Sequence, residues 1–123
     1  MIMTIDIKTL LTNSFVISID NNRLNRFYRI FSHYNLNTPL PKHYYGFNVK
    51  SLICNNNIKK KWPDSAIKGS LSHASLVRLA QSLNLPFICI FEDDAYPSKN
   101  IINDLTSVLT DLPDDIDVLR LGW

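Results

Sequence analysis

A short apolar run that ends in three acids constrains this chain more than any other segment. Residues 87–91 (Phe-Ile-Cys-Ile-Phe) follow Pro86 without a polar interruption, and Glu92, Asp93 and Asp94 come directly after them. A continuous run of large apolar residues is typical of a strand that is covered on both faces, as in the parallel sheets of α/β proteins. Ligands of such sheets bind beyond the carboxyl ends of the strands. The sequence therefore predicts a buried strand with an acidic ligand site at its end.

The three acids are expected to divide between the two sides of the chain. Residues i and i+2 of an extended chain point the same way, so Glu92 and Asp94 should share one side and Asp93 should face the other. Two carboxylates on one side suit Mg²⁺ or Mn²⁺. The alternative is that the acids cap a following helix or lie in a solvated loop. Three adjacent acids repel one another without a counterion, which favours the metal.

The rest of the chain alternates strands with amphipathic helices, which predicts an α/β fold with a mostly parallel sheet. A first helix follows the turn formed by Asp20, Asn21 and Asn22. Its apolar stripe consists of Leu24, Phe27, Tyr28, Phe31 and Tyr34, with Asn35 as its stop. The other expected elements are strands at 14–19, 44–49 and 116–121, a helix from Ser70 or Ser72 to Asn84, and a helix from Pro97-Ser98 to Pro113. Residues 1–13 are expected to form an N-terminal extension, and residues 50–68 a loop.

Composition indicates one ordinary globular domain. The chain has 123 residues, of which 46% are hydrophobic and 20% charged, and its net charge of +2 is too small to indicate nucleic acid. The basic cluster Lys59–Lys61 is either a solvated loop or a contact for phosphate or an anionic membrane surface. Two cysteines are too few for a disulfide framework, and no apolar run approaches the roughly 20 residues of a spanning helix. A cytoplasmic protein is expected, with peripheral contact at the inner face of a membrane as an option.

Four segments, in this order, resemble glycosyltransferase family 25, the transferases of lipooligosaccharide and lipopolysaccharide biosynthesis. They are the first strand with Asp20, Arg23 and Arg26 after it, the Ser72-His73 pair, the strand end at 85–95 and the segment 117–121. The strand end, Leu-Pro-Phe-Ile-Cys-Ile-Phe-Glu-Asp-Asp-Ala, is the most specific of the four. Lys68-Gly69 stands where the family usually has Gly-Cys, and family members are longer chains.

The resemblance implies a GT-A-like, Rossmann-like domain over residues 1–123 that binds a nucleotide sugar, with a UDP-sugar as the expected donor. It implies Mn²⁺ or Mg²⁺ as the cofactor, and a glycan or glycolipid of the bacterial surface as the acceptor. Asp94 and Glu92 are the implied metal ligands. The implied donor-binding residues are Asp20, Arg23, Arg26, Ser72, His73, Glu92 and Asp93. No catalytic base is identified.

A second hypothesis is a catalytically inactive fragment or paralogue that binds a nucleotide or a protein partner without transfer. It is motivated by the length of the chain, which matches only the N-terminal part of the family. An unfinished sheet would leave a strand edge and apolar surface exposed, so this hypothesis also predicts self-association.

Overall fold

A computed structural model of the chain describes residues 5–34, 39–46, 64–113 and 115–120. It has a mixed α/β fold in which helices flank a small, open parallel sheet of three strands within these residues. The elements are α1 (Ile7–Thr12), β1 (Ser14–Ser18), α2 (Asn21–Tyr34), β2 (Lys42–Tyr45), α3 (Asp64–Ser82), β3 (Cys89–Glu92) and α4 (Ile101–Thr110).

The central strand is β1, and it pairs in parallel with β2 on one side and β3 on the other. Val16 lies opposite His43 of β2 and opposite Phe91 of β3, so these three side chains share one face of the sheet. Four of the five residues of β1 are buried, including both of its serines. This burial explains why β-branched and aromatic residues occupy the middle of the strand.

The main core lies on the Val16 face of the sheet, under α1 and α2. Its buried residues are Leu11, Val16, Leu24, Phe27 and Phe31, and Phe91 and Ile102 of α4 pack against them. The Phe91 ring centroid lies 5.7 Å from those of both Phe27 and Phe31. Leu24, Phe27, Tyr28 and Phe31 of the stripe predicted for α2 thus form its core-facing side, and the side chain of Tyr34 lies outside the described part of the structure.

Helix α3 contacts the opposite face of the sheet. Leu76 of α3 is fully buried, and the hydroxyl groups of Ser75 and Tyr44 of β2 form a hydrogen bond. Tyr44 belongs to the Ile17 face because these two residues are paired in the register of β1 and β2. The sheet therefore lies between α3 on one face and α1, α2 and α4 on the other.

Two predicted helix boundaries are confirmed. The Asp20 carboxylate accepts hydrogen bonds from the backbone N–H groups of Asn22 (2.8 Å) and Arg23 (3.2 Å), which caps α2. At the end of α3, Asn84 adopts a left-handed conformation (φ 55°), and the Leu85 N–H donates to the Ala80 carbonyl at 3.0 Å. This is a Schellman ending, with Asn in the position that Gly usually takes.

Other boundaries were predicted wrongly. Helix α3 begins at Asp64, not at Ser70 or Ser72, so residues 64–68 of the loop predicted for 50–68 are helical. The rest of that predicted loop lies outside the described residues. The strand predicted at 14–19 ends at Ser18, and the one predicted at 87–91 forms over Cys89–Glu92. The second strand spans Lys42–Tyr45, and residues 47–49 of its predicted range lie outside the described residues.

The last predicted strand, 116–121, does not form within residues 116–120, which are irregular and exposed. Val118 is 80% exposed, and Ile116 and Leu119 are also exposed. Conversely, the extension expected at 1–13 contains α1, whose first turn is capped by a 2.7 Å hydrogen bond from the Thr9 N–H to Asp6. None of the helices in the described parts of the chain is both long and apolar enough to cross a membrane.

Substitution of Leu11 tests the contribution of α1 to the core. Leu11 is 1% exposed, so Leu11→Ala should lower the free energy of unfolding by about 2–5 kcal/mol, measured by urea denaturation. Leu83→Ala is the matched control, because Leu83 is 55% exposed and should change stability by less than about 1 kcal/mol. Equal effects of the two substitutions would show that α1 does not pack as described.

The buried Cys89 thiol gives a pH-dependent prediction. Burial raises the pKa of this thiol to about 11, above its ordinary value of 9.0. The buried, protonated thiol contributes fully to the free energy of unfolding below pH 9. This contribution is lost as the pH rises towards 11, because the thiol loses its proton more readily in the unfolded chain. In a Cys54→Ser background, Cys89 should react with a disulfide reagent at pH 8 only when urea unfolds the chain. Rapid reaction of the native chain would contradict its burial.

Candidate functional site

Ser18 and Asp93 join the carboxyl ends of β1 and β3. The buried Ser18 hydroxyl lies 2.8 Å from Asp93 Oδ2 and 3.0 Å from the Asp20 carbonyl oxygen. A hydroxyl has one proton, and a carboxylate is the stronger acceptor, so we assign the donation to Asp93. The Asp20 N–H in turn donates to Ser18 Oγ at 3.2 Å. Ser18 therefore holds both the Asp93 side chain after β3 and the backbone at Asp20 before α2.

Arg23 completes this network from the first turn of α2. Its Nη2 lies 2.9 Å from Asp93 Oδ1, so both oxygens of Asp93 have partners. The Asp93 side chain is 11% exposed and that of Arg23 54%. A mostly buried carboxylate is thus neutralised by a guanidinium group that remains half in solvent. Arg23 has five N–H donors, so it retains donors for an external anion.

Glu92 and His73 form a second pair on the opposite face of the sheet. His73 Nε2 lies 3.2 Å from Glu92 Oε1, and both side chains are partly exposed. Ser72, the neighbour of His73, is 2% exposed. It lies against the end of β2, because a Cβ placed on Gly46 would be 3.4 Å from Ser72 Oγ. Ser72 is well inside α3 and is not the helix cap that the sequence allowed.

Glu92 and Asp93 point to opposite faces of the sheet, as the sequence predicted. The expectation for Asp94 does not apply, because the strand ends at Glu92 and residues 93 and 94 form a turn. The Ala95 N–H closes this turn by donating to the Glu92 carbonyl at 3.0 Å. Asp94 is exposed at the turn.

Most of the predicted donor-binding residues are gathered at the carboxyl end of the sheet. Asp20, Arg23 and Asp93 lie on the α2 face, and Ser72, His73 and Glu92 lie on the α3 face. Arg26 and Asp94 are exposed, and neither side chain forms a hydrogen bond or ion pair with another residue in the described ranges. Asp20 also has a structural role, because one of its carboxylate oxygens caps α2.

A divalent cation would have two carboxylates here, those of Asp94 and Glu92, with Asp93 engaged by Ser18 and Arg23. Among the described residues, no three His, Cys, Asp or Glu side chains are grouped closely enough to hold a metal ion by themselves. Mg²⁺ is commonly held by one or two carboxylates together with substrate phosphates. With at most two carboxylates, a metal at this edge would need further ligands, such as the phosphates of a bound diphosphate.

Two residues at this edge were not identified from the sequence. Ser18 was predicted only as part of a strand, and His43 is not among the residues predicted for the site. In the structure, His43 Nε2 lies 3.0 Å from the Ser18 carbonyl oxygen, so both belong to the network around Asp93. No motif marks either residue. Only the register of β1 with β2 brings them together.

Comparisons with protein-family models, curated proteins and solved structures found no match to this chain. The resemblance to glycosyltransferase family 25 is carried by the residues quoted above, and the activity that it implies is a proposal.

Removing the Ser18 hydroxyl tests the network at Asp93. Ser18→Ala should destabilise the chain by about 1.5–3 kcal/mol, because a largely buried carboxylate loses a hydrogen bond. The measurement is urea denaturation, with Ser107→Ala on the exposed side of α4 as the control.

A double-mutant cycle separates this bond from the other contacts of Ser18. In an Asp93→Ala background, the cost of Ser18→Ala should fall by at least about 1 kcal/mol. An unchanged cost would contradict the assignment of the donation to Asp93.

Proposed function

We propose that this chain binds a nucleotide sugar at the carboxyl edge of its sheet and belongs to a metal-assisted glycosyltransferase of surface-glycan synthesis. The single observation that carries the proposal is the convergence of Arg23, Asp93, Glu92 and His73 at that edge, with Asp94 exposed beside them. The edge is where parallel α/β sheets bind ligands, and its residue types suit a metal-bound diphosphate. The quoted motifs of glycosyltransferase family 25 support the same function.

The proposed roles follow from exposure and partners. Arg23 contacts the donor diphosphate with the N–H groups that Asp93 does not use, and Asp93 holds the guanidinium group in position. Asp20 already accepts the N–H groups of Asn22 and Arg23, so the first turn of α2 contributes the positive end of the helix dipole to this edge. Arg26 is one helical turn further along and can add a second guanidinium contact.

Asp94 and Glu92 would hold Mn²⁺ or Mg²⁺, and His73 would orient Glu92 through their 3.2 Å contact. When bound, the cation would spread the negative charge that develops on the departing diphosphate. The acceptor is proposed to be a glycan or glycolipid. The predicted basic contact at Lys59–Lys61 lies outside the described residues.

Calorimetric titration with UDP tests this function. Binding by the native chain should require Mn²⁺, and Asp94→Ala should reduce the metal-dependent affinity at least tenfold without changing the melting temperature, since Asp94 is exposed. The control is Asp111→Ala, at the C-terminal end of α4 and away from the carboxyl edge. Metal-independent binding, or unchanged affinity of the Asp94→Ala chain at saturating Mn²⁺, would reject the metal assignment.

The second candidate is a binding module without transfer activity. It is favoured by the exposure of Ile116, Val118 and Leu119, because exposed apolar residues along one short segment are typical of a contact surface. This candidate predicts concentration-dependent self-association in sedimentation experiments, weakened by Val118→Asp.

A further inference from the structure

His43 and Tyr45 form an exposed pair of rings at the end of β2. Their ring centroids lie 5.9 Å apart, and the ring planes are inclined by 54°. His43 is paired with Val16 and Tyr45 with Ser18, so both rings lie on the face that also carries Arg23 and Asp93. Tyr45 is 68% exposed. A large aromatic ring in solvent at the ligand-binding edge of a parallel sheet is available for stacking.

The hydrogen bond of His43 determines what its ring can offer. His43 Nε2 lies 3.0 Å from the Ser18 carbonyl oxygen, which can only accept, so Nε2 carries the hydrogen. In the neutral ring, Nδ1 then has a free lone pair. Nδ1 has no hydrogen-bond partner among the residues that the structure describes. The hydrogen bond from Nε2 therefore holds the His43 ring in place, and Nδ1 can accept a hydrogen bond from a ligand.

Ser18 places this pair of rings next to the charged network. Its carbonyl oxygen holds His43, and its hydroxyl holds Asp93, which in turn contacts Arg23. Ser18 thus lies between Tyr45, its partner in β2, and Asp93, which contacts Arg23. A planar heterocycle joined to phosphates through a ribose suits this arrangement.

We propose that Tyr45 and His43 hold the base of a nucleoside diphosphate. Tyr45 stacks on the base, and Nδ1 of His43 accepts a hydrogen bond from a ring N–H such as N3–H of uracil. The inference rests on the proposed function, because it takes the ligand to be a nucleotide sugar. It adds the residues that select the base and the face of the sheet on which the base lies.

The test compares UDP with inorganic pyrophosphate, which lacks base and ribose, in calorimetric titrations with Mg²⁺. Tyr45→Ala should weaken UDP binding by roughly 5- to 150-fold, the range expected when a base loses a stacking partner. Pyrophosphate binding should not change. Tyr45→Phe is the matched control, because it keeps the ring and should bind UDP within about twofold of the native chain.

His43 is tested with UDP methylated at N3, which lacks the hydrogen-bond donor. The native chain should bind this analogue at least about tenfold more weakly than UDP. His43→Phe keeps an aromatic ring but no nitrogen acceptor, so it should bind the two ligands equally. Discrimination that persists in His43→Phe would overturn the role of Nδ1.

The outcomes separate this inference from the proposed function. If Tyr45→Ala binds UDP as tightly as the native chain, the base-binding role is wrong and the proposed function stands. If the native chain binds UDP and pyrophosphate with equal affinity, the base contributes nothing to binding, so the base-binding role is again wrong and the proposed function stands. Binding of neither ligand by the native, folded chain would overturn both the inference and the proposed function.

Discussion

The carboxylate of Asp93 is the group on which the arrangement of the carboxyl edge depends. It is largely removed from water, and an ionised carboxylate tolerates this only with charged or hydrogen-bonding partners. Its partners come from β1 and α2, so its satisfaction requires the end of β3, the end of β1 and the start of α2 to meet. The loss of one partner leaves the charge undercompensated, which is costlier than the loss of an exposed ion pair.

Successive side chains at the end of β3 point to opposite faces of the sheet, so the carboxyl edge has two chemically different sides. Asp93 faces α2 with Ser18, Arg23 and His43, whereas Glu92 faces α3 with His73. The first side is internally neutralised by a full guanidinium charge. The second has a carboxylate paired only with an imidazole, which is charged only when protonated. The α3 side therefore has the less neutralised carboxylate, and the α2 side has the guanidinium group that an anion would contact.

Much of the fold was predictable, because the apolar run, the α2 stripe and the caps at Asp20 and Asn84 are local signals. The start of α3 was missed because Gly69 disfavours a helix interior by about 1 kcal/mol and two possible serine caps follow it. Residues 116–120 have the composition of a strand, but a strand needs a neighbour to pair with, and composition does not supply one. The roles of Ser18 and His43 depend on register and on a contact across 75 residues, which no local pattern encodes.

The charge balance of the edge bears on how it could receive a nucleotide. Four carboxylates, those of Asp20, Glu92, Asp93 and Asp94, face two guanidinium groups, Arg23 and Arg26. A diphosphate would add further negative charge to a region that already has an excess of it. Like charges a few ångströms apart are strongly unfavourable once partly shielded from water. Arg23 alone cannot offset this excess, because Asp93 already engages it. A divalent cation between the diphosphate and Asp94 would offset two of these negative charges, so under the proposed function the acids themselves favour a requirement for metal.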